Sequence, residues 1–286
     1  MTAFNAGEYL SEAVDSLTRQ TFLEWQLVLI DNGSTDNSFA LLNSNDPRIR
    51  ILKSSINIGR TKALQLALSY ADTPFVAILD ADDISHPDRL SQQLSIFDTS
   101  PDVVLIGSHV TLLLEGGMKS PRVNEYVGVI SHDQLAERNP FVHSSVMFRR
   151  SAVVAVGGYD DNYPYAQDYD LFQRLATIGR CQILQSQLIS LRVHPRSMTN
   201  GRTSALLRLK DEAALFSLAQ FRLQISTHGR RMNRRRRALV SLEVGFYAIL
   251  DGQTLSGLKA LARSIKIDPS LSWIPYLLQG RPIPKL

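Results

Sequence analysis

Cysteine is nearly absent from this chain: among 286 residues only Cys181 carries a thiol, which excludes an internal disulfide and an all-cysteine zinc site and suits a reducing compartment. Long hydrophobic runs are missing too, the most apolar stretches breaking off before the roughly 18 residues that a membrane-spanning helix requires. No basic region leads into an apolar core near Met1, so a secretory leader is not expected from these residues. No Gly-x-Gly-x-x-Gly follows a strand-like run, which removes the usual fingerprint of a dinucleotide enzyme. Charge of one sign is scarce as well. The formal net charge is +4, and much of the basic excess sits in one segment, Arg230, Arg231 and Arg234 to Arg237.

What is present reads as an α/β protein. Short β-type runs stand at Leu27 to Ile30, Ile49 to Leu52, Phe75 to Leu79 and Val103 to Ile106. Helical faces separate them: Leu10, Val14 and Leu17; Ala63, Leu64, Ala67 and Leu68; Leu90, Leu94 and Phe97. This alternation predicts a mostly parallel sheet with helices on both faces. The first strand looks clipped, because only Met1-Thr2-Ala3 precede the loop Phe4 to Gly7, whereas a buried parallel strand needs about 5 residues. Two expectations follow: residues upstream of Met1 are omitted, or a stunted strand is tolerated. Further on, Ser144 to Arg150 reads as a strand entering a short helix, and Asp168 to Ile178 as a helix that Gly179 caps. Cys181 to Leu184 and Leu188 to Val193 read as two strands. Beyond about Asn200 the pattern is helical, with Leu206 to Phe221 and Ala238 to Leu250 the longest segments.

The chemistry concentrates where strands end. Phe75 to Leu79 runs directly into Asp80-Ala81-Asp82-Asp83, and in an open α/β sheet the ligand crevice lies beyond the carboxyl ends of such strands. Like charges packed into one turn raise each other's pKa unless a cation joins them, and a hard divalent ion bridging to a phosphate is the usual solution. Alone the triplet is a weak signal, since Asp168-Tyr169-Asp170 repeats the spacing. Asp31 to Asp36 follows the strand at Leu27 on the same sheet edge. A turn with a helix cap explains Gly33 to Asp36 but not Asp31. Asn57-Ile58-Gly59-Arg60 forms a third loop there, where Arg60 or Lys62 could meet a diphosphate or be only a solvated surface charge.

Six motifs in order, Thr2-Ala3-Phe4-Asn5, Asp31-Asn32-Gly33-Ser34-Thr35-Asp36, Asn57-Ile58-Gly59, Leu79-Asp80-Ala81-Asp82-Asp83, Gln167-Asp168-Tyr169-Asp170-Leu171 and Arg192-Val193-His194, resemble the family 2 glycosyltransferases of the GT-A fold. The resemblance covers residues 1–200 and implies a catalytic domain with a nucleotide-sugar half over 1–110 and an acceptor half over 111–200, followed by a helical extension over 201–286. It implies metal-dependent, inverting transfer from a nucleoside diphosphate sugar to a saccharide or lipid-linked saccharide, in surface polysaccharide or glycoconjugate synthesis. Thr2, Phe4 and Asn5 would wall the nucleotide site, with Asn57, Arg60 and Ala81 beside it. Asp31 would accept from the base and Asp80 would hold the ribose. Asp82 and His194 would bind Mg²⁺ or Mn²⁺, and Asp168 would be the base that takes the acceptor proton. Many relatives carry Glu-Asp where this chain has Gln167-Asp168. A structural or surface role remains open for His194, and Asp168 also suits the start of a helix. Two other functions compete: a non-catalytic nucleotide-sugar binding module, and a nucleotidyltransferase, against which stands the lack of a Gly-rich, lysine-containing N-terminal loop.

The arginine segment at 230 to 237 reads either as a solvated helix end or loop, or as a patch that holds the protein to an anionic cytoplasmic leaflet. Trp273 and Tyr276 could anchor at such an interface or pack the C-terminal helices. Nucleic acid is not expected, because no aromatic residues are interleaved with these arginines. The expected location is cytoplasmic, peripheral at the inner face of the membrane.

Overall fold

The computed structural model describes residues 1–42, 46–117, 119–122, 125–194 and 202–269; Trp273 and Tyr276 lie outside them. The chain divides into two compact units, Met1–Ile130 with Pro140–Pro195, and Ser131–Asn139 with Arg196–Leu286. The second unit thus takes Ser131–Asn139 from inside the first 200 residues.

Unit 1 begins with β1 (Thr2–Ala3), α1 (Tyr9–Thr18), β2 (Leu27–Asn32), β3 (Ile49–Ser54) and α2 (Arg60–Ser69). In α1, Leu10, Ala13, Val14 and Leu17 fall at helical spacing and all are buried. Strands β1, β2 and β3 form a parallel three-stranded sheet in which Ala3 stands opposite Asp31. Gly33, just past β2, has φ +79°, and a Cβ there would lie 2.5 Å from the Ile56 carbonyl carbon. Only glycine lets the two loops approach this closely.

Next come β4 (Phe75–Ala77), β5 (Ile84–Ser85), α3 (Arg89–Thr99), β6 (Val103–Leu113), β7 (Lys119–Arg122) and β8 (Gly128–Ile130). After α4 (His132–Glu137), which belongs to unit 2, follow β9 (Met147–Arg149), α5 (Arg150–Ala155), α6 (Gln167–Ala176) and β10 (Arg180–Arg192). The second sheet has the order β4-β9-β6-β10-β5, with β7 on β6 and β8 on β10. Parallel pairing is confined to the first sheet and to β6–β10; the other pairs here are antiparallel. An α/β fold is therefore present, with less parallel pairing than the strand–helix alternation suggested.

Three local differences remain. The strand run at Phe75 ends at Ala77 in the ladder; Ile78 N still donates to the Val146 carbonyl at 2.9 Å, and the buried Arg89 side chain donates to the Ile78 and Val146 carbonyls at 2.7 and 3.0 Å. The two strands expected between Cys181 and Val193 are one strand, β10, whose register shifts between Leu184 and Gln187 as the exposed Gln185, Ser186 and Gln187 bulge outward. Gly179 is not a left-handed helix cap: α6 ends at Ala176, and a Cβ on Gly179 would lie 2.3 Å from Val104 Cγ1, so close packing dictates the glycine.

Unit 2 consists of α4 with α7 (Arg202–Arg222), α8 (Thr227–Leu250) and α9 (Thr254–Ile267). Ser226 caps α8 by accepting from Gly229 N at 3.0 Å, and Asp133 of α4 accepts from Ser226 N at 2.8 Å. Asn233 donates to the Ala136 and Phe216 carbonyls, tying α8 to α4 and α7. The arginine segment is not a loop: it begins in the first turn of α8 and continues into the helix. Arg230, Arg231 and Arg234 are exposed, whereas Arg235, Arg236 and Arg237 are half-buried, so the six do not present one basic face. No helix among the described residues is long and apolar enough to cross a membrane.

Candidate active site

The site is built where β1, β2, β4 and β10 end. The loop after β1 carries Asn5 in a left-handed conformation, φ 51°, and its Oδ1 accepts from Thr35 N at 2.8 Å and Asp36 N at 3.3 Å. Asn5 thus staples the loop after β1 to the loop after β2. Phe4 beside it is 48% exposed, and Thr2 is half-buried in β1. Asp31 is buried at the end of β2 and accepts from Ser34 N at 2.9 Å. Asn57 Oδ1 accepts from Asn32 Nδ2 and Gly59 N, so this side chain shapes the loop ahead of α2.

Arg60 opens α2 and donates from one Nη2 to both oxygens of Asp80, each at 2.8 Å. The same nitrogen lies 3.1 Å from His143 Nδ1. His143 Nε2 in turn lies 2.9 Å from Tyr159 Oη, so the ring bridges the Arg60–Asp80 pair and Tyr159. Asp80 N donates to Ser144 Oγ at 2.9 Å. Burial pushes the Asp80 carboxyl up, but the Arg60 charge and His143 outweigh it and hold the group well below the usual carboxylate range. Burial also opposes the Arg60 charge, and the carboxylates of Asp80, Asp168 and Asp82 more than restore it. Tyr159 is pushed upward by burial and then by Asp168. Asp168, in the first turn of α6, therefore acts electrostatically on the same Arg60 and Tyr159 that border Asp80.

On the other side of the acidic turn, His194 Nε2 lies 3.0 Å from Asp82 Oδ2. The strand end holds the pair together: Arg192 N donates to Asp83 Oδ1 at 2.8 Å and Arg192 Nε to the Asp82 carbonyl at 2.9 Å. The Arg192 guanidinium stacks 4.4 Å from the Tyr9 ring centroid and pairs with Glu12 at 2.5 Å, while the Tyr9 ring lies 5.0 Å from that of His194. Among the described residues no three Asp, Glu, His or Cys side chains gather as a metal cage. The Asp82–His194 pair offers two donors, a set suited to a cation that takes its remaining ligands from phosphates. Ala81, between the two acids, is buried.

Burial, reinforced by Asp80 and Asp82, raises the Asp83 carboxyl well above its ordinary 3.8. As pH climbs past 3.8 the unfolded chain sheds this proton and the folded chain keeps it, so stability falls with pH until the raised folded value is passed. Asp83→Asn, whose amide oxygen can still accept from Arg192 N, is expected to flatten that fall and to be the more stable protein above the window. Denaturant midpoints measured across pH would disprove this if variant and wild type ran parallel throughout.

The motifs assign no individual role to His143, Ser144, Tyr159 or Arg89, although Tyr159 opens the 159–166 loop on which the choice of sugar and acceptor is expected to depend. A signal existed for the first two: His143-Ser144-Ser145 interrupts the apolar run from Phe141 to Phe148, and all three polar residues are buried. Buried polar groups inside a strand-like run need partners, and here they serve Asp80 and Arg60.

Solved structures with this architecture are GT-A glycosyltransferases. The Staphylococcus aureus TarS 1-349 structure in complex with UDP-GlcNAc superposes with a TM-score of 0.63 at 13% identity, covering 93% of this chain and 89% of that one. The mannosyltransferase PcManGT from Pyrobaculum calidifontis in complex with GDP-Man and Mn²⁺ gives 0.62 at 16% identity, covering 98% and 79%. Residues 1–154 match the family described as Glycosyl transferase family 2, and the chain belongs to that family. The amylovoran biosynthesis glycosyltransferase AmsE of Erwinia amylovora is 30% identical over 175 residues, 60% of this chain and 65% of AmsE. An uncharacterized glycosyltransferase of Haemophilus influenzae is 24% identical over 205 residues, so the chain spans about 64% of that relative's length.

Proposed function

We propose that this chain transfers a sugar from a nucleoside diphosphate sugar to a hydroxyl of a saccharide or lipid-linked saccharide acceptor, with inversion, in surface polysaccharide or glycoconjugate synthesis. The observation that carries the reading is the Arg60–Asp80 pair, with two bonds of 2.8 Å, beside Asp82 held 3.0 Å from His194. The nucleotide sugars and Mn²⁺ bound to the two fold relatives support the donor class.

In this reading Thr2, Phe4, Asn5 and Asn57 shape the donor cleft, and Asp31 accepts from the base. Asp80, kept ionised by Arg60, accepts from the ribose hydroxyls. Arg60, paired with Asp80, would offset charge on the departing diphosphate. Asp82 and His194 would hold Mg²⁺ or Mn²⁺, which supplies Lewis-acid neutralisation of the two phosphates when bound. Asp168 takes the proton of the acceptor hydroxyl as that oxygen bonds to the anomeric carbon. The old bond to phosphate breaks on the opposite face, and its electron pair leaves with the nucleoside diphosphate.

The test is nucleoside diphosphate release from UDP-GlcNAc and GDP-Man, with Mn²⁺ or chelator and with or without a saccharide acceptor. Donor binding that never yields acceptor-dependent release would favour the binding-module reading. Asp82→Asn is expected to weaken donor binding in Mn²⁺ and to remove most transfer. Turnover with an unchanged metal dependence would take Asp82 out of its assigned role.

A further inference from the structure

Helix α2 holds the segment between α5 and α6 by two routes. The direct one is Gln65, whose Oε1 accepts from Tyr159 N at 2.8 Å. That approach needs glycine just before it: Gly158 has φ +71°, and a Cβ there would lie 2.3 Å from Gln65 Oε1. The second route starts from Arg60 at the head of α2, which pairs with Asp80 and lies 3.1 Å from His143 Nδ1. His143 Nε2 then meets Tyr159 Oη at 2.9 Å, and the two rings cross edge to face with centroids 5.8 Å apart. Both side chains are buried. A tyrosine hydroxyl donates or accepts, so this bond forms with either histidine tautomer.

From Tyr159 onward the chain is tied turn by turn. Tyr163 N donates to the Asp160 carbonyl, Ala166 N to that of Tyr163 and Asp170 N to that of Ala166, at 3.3, 3.2 and 3.1 Å. Linked turns therefore lead from Tyr159 into the first turn of α6, where Asp168 stands. At the other end the Arg60 Nη2 is over-committed: it carries two hydrogens and faces three atoms, both Asp80 oxygens and His143 Nδ1. When His143 Nδ1 is unprotonated, a ligand hydroxyl that donates to Asp80 frees an Arg60 hydrogen for the imidazole. When Nδ1 holds the proton, the ring faces Asp80 Oδ1 itself, at 3.5 Å. Either way the ring, and the Tyr159 hydroxyl behind it, answers to what Asp80 holds.

We propose that His143 and the Tyr159 hydroxyl are positioning residues through which a nucleoside bound at Asp80 steadies the segment 160–166 that leads to Asp168. The proposal rests on the donor reading of Asp80 and adds to it a coupling between the donor side and the base side of the cleft.

The test is amide hydrogen exchange of the full chain, with and without UDP or GDP in Mn²⁺. In the wild type, nucleotide is expected to slow exchange at 32–36, and to slow it by about 3- to 10-fold at 160–166, the scale of one hydrogen bond. Tyr159→Phe keeps the buried ring and removes the hydroxyl; it should retain the protection at 32–36 and lose that at 160–166. Gln65→Ala cuts the direct tether instead, so it should speed exchange at 160–166 without nucleotide yet keep the slowing that nucleotide brings. Exchange in α1 verifies that each variant folds. Undiminished slowing at 160–166 in Tyr159→Phe, or its equal loss in Gln65→Ala, would reduce these contacts to packing and overturn the proposal.

A cycle without nucleotide separates this outcome from the donor reading. Arg60→Gln should speed exchange at 160–166 in the wild type and add nothing in Tyr159→Phe. Independent effects of the two substitutions would refute the coupling even where nucleotide protects 32–36. Coupled effects with no protection at 32–36 from either nucleotide would uphold the coupling and count against the donor reading.

Discussion

Asp168→Asn is expected to lower kcat by about 10² or more while leaving donor affinity nearly intact. Asparagine preserves the shape of the side chain but cannot take a proton, so the loss falls on the step in which the acceptor hydroxyl is deprotonated. The scaffold under it should hold, because Leu171, Phe172 and Leu175 of α6 are buried and Asp170, beneath the same turn, keeps its pair with Arg174 at 2.5 Å. Steady-state kinetics with saturating acceptor, together with donor titration of the inactive complex, separates the two quantities. A change confined to KM would remove Asp168 from the role of base. Gln167, the first residue of α6, is buried beside it.

The second large effect is expected at the pair below. Arg60→Gln deprives Asp80 of two bonds of 2.8 Å at a position only 26% exposed. The cost should be about 2–3 kcal/mol of folding stability. Donor affinity should fall at least about 10-fold, because Asp80 then loses the charge that fixes its orientation. His143 Nδ1 lies 3.5 Å from Asp80 Oδ1, farther than the two 2.8 Å bonds of Arg60. A double-mutant cycle of Arg60→Gln with Asp80→Asn isolates the pair. Strict additivity in stability would mean that the two groups are solvated independently, and the assigned function of Arg60 would fail with it.

What could be read from the residues alone divides along physical lines. Period fixes helices well when one face is buried, and α1, α2 and α3 lie where Leu10, Ala63 and Leu90 placed them. Acidic strand ends were visible because a carboxylate after five apolar residues has few structural excuses. Strand direction was not visible: β4 and β9 pair antiparallel through partners 70 or more residues apart, as in Phe75 with Arg149, and nothing local to either run encodes that. The same holds for Tyr159 and Arg89, whose roles depend on neighbours brought together only by the fold. Asn5 and Asn57 show the converse. They belong to recognisable motifs, yet their side-chain oxygens are spent on loop amides, which motif spacing alone does not reveal.

The outward bow of β10 at Gln185 to Gln187 has a practical corollary. Chain length can vary at that solvent-facing stretch while the strand on either side keeps its partners, whereas one residue added after Leu188 would carry Arg192 off Asp83 and His194 off Asp82 together. Insertions and deletions should accumulate in the first place and be purged from the second. A reporter peptide spliced at Ser186 would leave the donor side undisturbed.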